Sequence, residues 1–274
     1  MKRPQATAIT SGKGGVGKTN LSVNLALALH RAGQKVGIFD ADLALANAHL
    51  VLGCRPNRTI ADTLSGSCTM AETIVESQHG VKMIAGGSGL AEVMGLSDET
   101  RQKIIRGFSE LSGELDHLIV DTAAGVESNV IDFVAACDRV IVVVIGEPTA
   151  FVDAYASIKV LHQETGRERF DIIVNRAPSL AHGDQIFSRF RAITDKFLKV
   201  SLNHLGTVPD DEKLGRAVGK CEPVISSFPD SPSAKAILKI AERIRSTEPP
   251  MVDEGAIGFF RPMPDYVRAT ATGV

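Results

Sequence analysis

Eight consecutive residues, Gly12-Lys13-Gly14-Gly15-Val16-Gly17-Lys18-Thr19, have the types and spacing needed to hold a polyphosphate, G-x-x-x-x-G-K-[ST]. The glycines let the backbone curl until several N–H groups point inward at phosphate oxygens. The helix expected to open at Asn20 adds its positive end. Lys18 is placed to reach the β- and γ-phosphates, and the Thr19 hydroxyl to ligate Mg²⁺.

Carboxylates at matching positions complete the set. Asp121 ends the apolar run 118–120 and is the expected second acidic partner of the magnesium, through a water. Asp40 and Asp42 lie just past the run 36–39. One could support the metal while the other orients an attacking water, although the same spacing also suits a helix cap or a turn. Glu147 and Asn175 follow two further runs, 140–145 and 172–174, and with Asn20 join the candidate nucleotide-binding residues. Lys13 is a second cation in a loop that needs only one. On spacing alone it is equally a solvated loop lysine.

These residues must be positioned by strands. Apolar runs at 6–11, 36–39, 81–85, 118–120, 140–145, 172–174 and 205–208 alternate with helical periodicity at 20–32, 98–111, 150–164, 185–198 and 233–245. That alternation predicts a single α/β domain, a mostly parallel twisted sheet with helices on both faces. In such sheets the chemistry lies at the C-terminal ends of the strands, where all the polar residues above fall. The domain is expected over 1–246, followed by a tail over 247–274 rich in Pro and Gly.

The 274 residues carry a net charge of −2, are 44% hydrophobic and only 5% aromatic, which suits an aliphatic globular core and excludes a disordered chain. The near-neutral charge gives no case for coating a polyanion. The longest apolar run, 140–145, is far short of the roughly 20 residues a membrane span requires. Four scattered cysteines without a C-x-x-C pair suggest reduced thiols in a cytoplasmic protein rather than a disulfide or zinc framework.

The stretch from Lys13 to Thr19 resembles the deviant phosphate loop of the MinD/ParA ATPases. The likeness continues in Asp40-Ala41-Asp42-Leu43, Asp121-Thr122-Ala123-Ala124-Gly125, Asn175-Arg176 and Val208-Pro209-Asp210. It implies a P-loop NTPase fold, ATP with Mg²⁺ as ligands, and an ATP-dependent homodimer in which Lys13 reaches the partner's phosphates. It further ties Asp42 to hydrolysis and places Asn175, Arg176, Val208, Pro209 and Asp210 around adenine. Several phrases, including Glu147-Pro148-Thr149-Ala150-Phe151-Val152-Asp153-Ala154-Tyr155 and Phe228-Pro229-Asp230-Ser231-Pro232, are similar to the FlhG/FleN flagellar-number regulators. The partners so implied are a flagellar transcription activator, a signal-recognition-type GTPase or flagellar switch proteins. Peripheral membrane or cell-pole contact would use the tail. Its residues 256–261 supply two aromatics, but Gly258, Pro262 and Pro264 interrupt a long helix.

Competing readings are a partition ATPase or a division-site ATPase of the same superfamily, and a small-molecule kinase or ligase. Arg189, Arg191, Lys196 and Lys199 would serve DNA binding, but Asp195 lies among them and they read as a solvated helix face, so no specific DNA binding is expected. An iron–sulfur carrier would need paired cysteines, and a tyrosine kinase of this superfamily a tyrosine-rich tail.

Overall fold

The computed structural model describes residues 3–43, 46–87, 97–249 and 257–261. The chain runs β1 Gln5–Thr10, α1 Lys18–Arg31, β2 Val36–Ala41, α2 Ala48–Leu52, α3 Ile60–Leu64, β3 Ile74–Glu76, β4 Lys82–Ala85 and α4 Asp98–Gly107. It continues through β5 His117–Thr122, α5 Ser128–Ala135, β6 Arg139–Ile145, α6 Pro148–Thr165, β7 Arg169–Ala177, α7 Leu180–Phe197 and β8 Ser201–Pro209. Three helices follow: α8 Glu212–Gly219, α9 Val224–Ser227 and α10 Pro232–Ser246.

The strands form one sheet in the order β3-β4-β2-β5-β1-β6-β7-β8, parallel except where β3 meets β4. β1 lies between β5 and β6, so its C-terminal end opens where the strand order reverses and a ligand crevice forms. Side chains alternate across the pleat into two cores. Ile9, Ile38, Ile119 and Ile141 pack beneath Leu21, Leu25 and Leu29 of α1 and Ile237 and Ile240 of α10. Ala8, Phe39, Val120 and Val142 pack on the other face with Ile104, Phe133, Ile158 and Phe190, from α4, α5, α6 and α7.

Among the boundaries that differ from the sequence reading, three are instructive. α7 begins at Leu180 because the Ser179 hydroxyl accepts the His182 N–H and starts the helix early. β8 begins at Ser201 because it is an edge strand, where exposed Ser201 and Asn203 alternate with apolar residues. The third difference concerns the tail. Phe259 and Phe260 are buried against Phe108, the Phe259 N–H donates to Ala136 O, and Arg261 pairs with Asp138. The two aromatics offered to a membrane by the sequence are therefore core residues of the domain. Residues 262–274 lie outside the described part of the chain.

Candidate functional site

The loop between β1 and α1 is shaped by contacts that only glycine tolerates at two points. A Cβ at Gly12 would sit 2.1 Å from Asp153 O, because the loop leaves the sheet directly against the α6 backbone. Gly17 has φ +96°, and its Cβ would fall 2.6 Å from Asn175 Nδ2. Val16 is buried and anchors the crown, its carbonyl accepting the Asn175 Nδ2 amide at 2.8 Å. Gly14 and Gly15 stand exposed above it. α1 starts at Lys18 with no capping side chain and no acidic residue in its first turn, which leaves its N-terminal dipole free to meet an anion.

Lys18 is buried beneath the loop with Nζ 3.0 Å from Ser11 Oγ. Burial holds its ammonium below the usual lysine range, opposed by the charges of Asp121 and Asp42. Ser11 Oγ donates to Lys13 O at 2.7 Å, and Ser11 O accepts the Gly125 N–H at 3.0 Å. Ser11 thus ties the phosphate loop to the segment after β5, a role the sequence did not announce because Ser11 reads simply as a strand end.

Asp40 and Asp121 are register partners on adjacent strands β2 and β5. Asp40 is fully buried; its Oδ2 accepts the Ala48 N–H at 2.9 Å and its Oδ1 the Asp42 N–H at 3.3 Å. Burial, followed by the charge of Asp121, pushes its pKa up to about 7. Burial pushes Asp121 up to about 6, opposed by hydrogen bonds from Thr19 and Ser22 and by Lys18. Ser22 Oγ is 2.8 Å from Asp121 Oδ1. Asp42 is half-buried within electrostatic reach of Lys18, Asp40 and Asp121. Lys18, Thr19, Asp40, Asp42 and Asp121 therefore form one group at the strand ends. Two desolvated carboxylates beside a hydroxyl suit a divalent cation, which would restore their charged forms. Among the described residues no cluster of three or more His, Cys, Asp or Glu can enclose a metal by itself. A magnesium here would rely on phosphate and water for its remaining bonds, as this ion commonly does.

Beside the loop opens a cleft of about 790 Å³ lined by Gly17, Asn20, Asn175, Arg176, Asp210 and the face of α8 from Asp211 to Val218. Asn20 Nδ2 and Asn175 Oδ1 are buried there without a protein partner, one donor and one acceptor left to a ligand. Val208 and Pro209 lie in β8, outside the lining. Leu214, Arg216 and Val218 of α8 supply wall that the sequence reading missed, since Gly215 and Gly219 disguise that helix as a loop. Glu147 is also outside the cleft. It is exposed at the start of α6, with Oε2 2.8 Å from Lys13 Nζ.

A doubly wound parallel sheet, a glycine-rich loop between its central strand and a helix, and carboxylates at the neighbouring strand ends define a P-loop nucleoside triphosphatase. Residues 3–245 match the ParA family model, described as NUBPL iron-transfer P-loop NTPase, and the chain belongs to this family. It is 41% identical over 269 residues to the Antiactivator FleN of Pseudomonas aeruginosa, covering 98% of this chain and 95% of that one. It is 32% identical over 266 residues to the Flagellum site-determining protein YlxH of Helicobacter pylori, covering 95% and 90%. The septum site-determining protein MinD complexed with Mg-ADP from Pyrococcus horikoshii superposes with a TM-score of 0.72 at 25% identity, over 89% of this chain and 96% of that one. The chain is accordingly a P-loop ATPase of this family.

Proposed function

We propose that this ATPase is a dimerising switch that sets flagellar number or placement. The observation that carries the switch reading is the position of Lys13. It is a cation of the phosphate loop whose ammonium rests on Glu147, a residue outside the cleft. A lysine so placed is available to the phosphates of a second copy facing it, the logic of a positive finger supplied in trans.

In this reading Gly12, Gly14 to Thr19 and Asn20 hold the phosphates, while Asn175, Arg176 and Asp210 with α8 enclose the base. Thr19, Asp121 and Asp40 would hold Mg²⁺. When bound, the ion neutralises phosphate charge. Lys18 stabilises the β- and γ-phosphates, Asp42 orients the attacking water, and Lys13 of each subunit stabilises charge on the other's nucleotide. Loss of the γ-phosphate removes the bridging contacts and releases the dimer. The flagellar role is supported by the likeness to an antiactivator and a flagellum site-determining protein along nearly the whole chain. Its partner by that likeness is a flagellar transcription activator, a signal-recognition-type GTPase or a switch protein.

Deleting the gene and restoring it as wild type or Asp42→Ala tests the role. Changed flagellar number or position on deletion, rescued only by the wild type, is the expected result. Normal flagella with displaced septa or mis-segregated DNA would transfer the switch to division or partition instead.

A further inference from the structure

Asn24 lies one turn along α1 from Asn20, on the same helix face, and its side chain is fully buried. Its Nδ2 donates to Asn20 O at 2.8 Å and to Asn20 Oδ1 at 3.2 Å, while its Oδ1 accepts the Ile225 N–H at 3.2 Å. The direction of this chain is forced. A backbone N–H can only donate, so the Asn24 atom facing Ile225 must be oxygen, which turns the Asn24 NH₂ toward Asn20. An NH₂ can only donate, so the Asn20 atom facing it must also be oxygen. What remains on Asn20 is its NH₂, and that nitrogen is the buried, unpartnered donor on a residue lining the cleft beside Gly17.

We infer that Asn24 is a positioning residue of the nucleotide site. It passes the polarity of the Ile225 N–H through two amides, so that Asn20 presents only a donor to the ligand. A phosphate oxygen, which only accepts, is the group this arrangement selects. The inference rests on the reading of the loop as the phosphate site and adds a residue that does not touch the ligand. The same relay links the site to α9, whose Ile225 O accepts from the Arg31 guanidinium at 2.7 Å.

Asn24→Asp tests it, because a carboxylate still accepts from Ile225 but cannot donate to Asn20. The Asn20 amide must then turn over and offer its carbonyl to the phosphate. Calorimetric titration of the full chain with Mg-ADP should show the Kd rise about tenfold or more in Asn24→Asp. In an Asn20→Ala background the same change should move Kd by less than about twofold, as a coupled pair requires. For ATP turnover, KM should rise while kcat stays within about twofold. Asn20→Asp is the second variant: Asn24 still satisfies one of its oxygens, and the other meets the phosphate, so Kd should rise about a hundredfold or more. An unchanged Kd in Asn24→Asp or Asn20→Asp, or an equal loss with and without Asn20, would overturn the relay. If the wild-type chain itself failed to bind Mg-ADP, the nucleotide reading would fall and the relay with it. Wild-type binding that is lost in Lys18→Ala yet indifferent to Asn24→Asp would remove the relay alone.

Discussion

Lys13 and Glu147, 134 residues apart in sequence, form an ion pair of 2.8 Å at the rim of the phosphate loop, with Thr149 Oγ1 3.4 Å from the same ammonium. The two side chains are 39% and 57% exposed. Such a pair is screened by solvent and contributes at most about 1 kcal/mol. It is strong enough to park Lys13 in the single subunit and weak enough to be exchanged for a phosphate.

Glu147→Ala should therefore free Lys13 in both subunits and tighten the Mg-ATP dimer by a factor of up to about thirty, the equivalent of about 1 kcal/mol for each subunit. Sedimentation across a concentration series reads this shift. A weaker dimer would assign Glu147 to the dimer interface itself rather than to a resting place for Lys13.

The paired carboxylates make binding depend on pH. Asp40 and Asp121 have folded pKa values of about 7 and about 6, above the ordinary aspartate range. The fold therefore retains protons that the unfolded chain has released. Their contribution to stability is fullest below about pH 4 and is lost as pH rises through about 6 and then 7. A bound cation favours the ionised forms and expels those protons. Titration with preformed Mg-ADP at pH 6.5 should release protons, giving heats that differ between buffers of different ionisation enthalpy. The release should fade by pH 8.5 and shrink in Asp40→Asn. Equal heats in both buffers at pH 6.5 would contradict this picture.

Gly17→Ala should raise the Kd for Mg-ADP more than about tenfold. The new Cβ is disfavoured at φ +96° and meets Asn175 Nδ2 at 2.6 Å, which displaces the cleft wall and frees Val16 O. Gly15→Ala, where φ is +76° but open space surrounds the Cβ, should lose less. Equal effects would mean that backbone strain alone, and not Asn175, decides.

Phe259→Ala should cost about 3–5 kcal/mol in urea unfolding. Its ring is completely buried, 5.0 Å from Phe108 and 6.3 Å from Phe39 between centroids. An unchanged midpoint would mean that this segment does not hold its place on the core.

The loop and the acidic strand ends were legible because their chemistry is local. Eight adjacent residues specify a phosphate cradle, and apolar runs ending in Asp point to the crevice of a parallel sheet. What escaped depends on distant partners. Nothing near Glu147 reveals that Lys13 will reach it, and nothing around Gly258 shows that Phe259 will seat against Phe108 rather than leave with the tail. The α8 wall was hidden for a different reason. Gly215 and Gly219 weaken the helical pattern, and the helix is held instead by Asp211, which accepts the Lys213 N–H at its start and the Ser233 hydroxyl of α10 from across the fold. Of the serines that tune the site, Ser11 ends an apolar run and Ser22 lies within a helical pattern, and in neither place does a hydroxyl carry a signal of its own.

The solution mass of Asp42→Ala with Mg-ATP and then with Mg-ADP, measured beside Lys13→Ala, tests the switch most directly. A dimer that persists with Mg-ATP, a monomer with Mg-ADP, and a monomer under both conditions in Lys13→Ala is the predicted result. A mass indifferent to nucleotide, or a Lys13→Ala dimer as stable as that of Asp42→Ala, would leave Lys13 as a solvated loop lysine and contradict the exchange of Glu147 for a partner's phosphate.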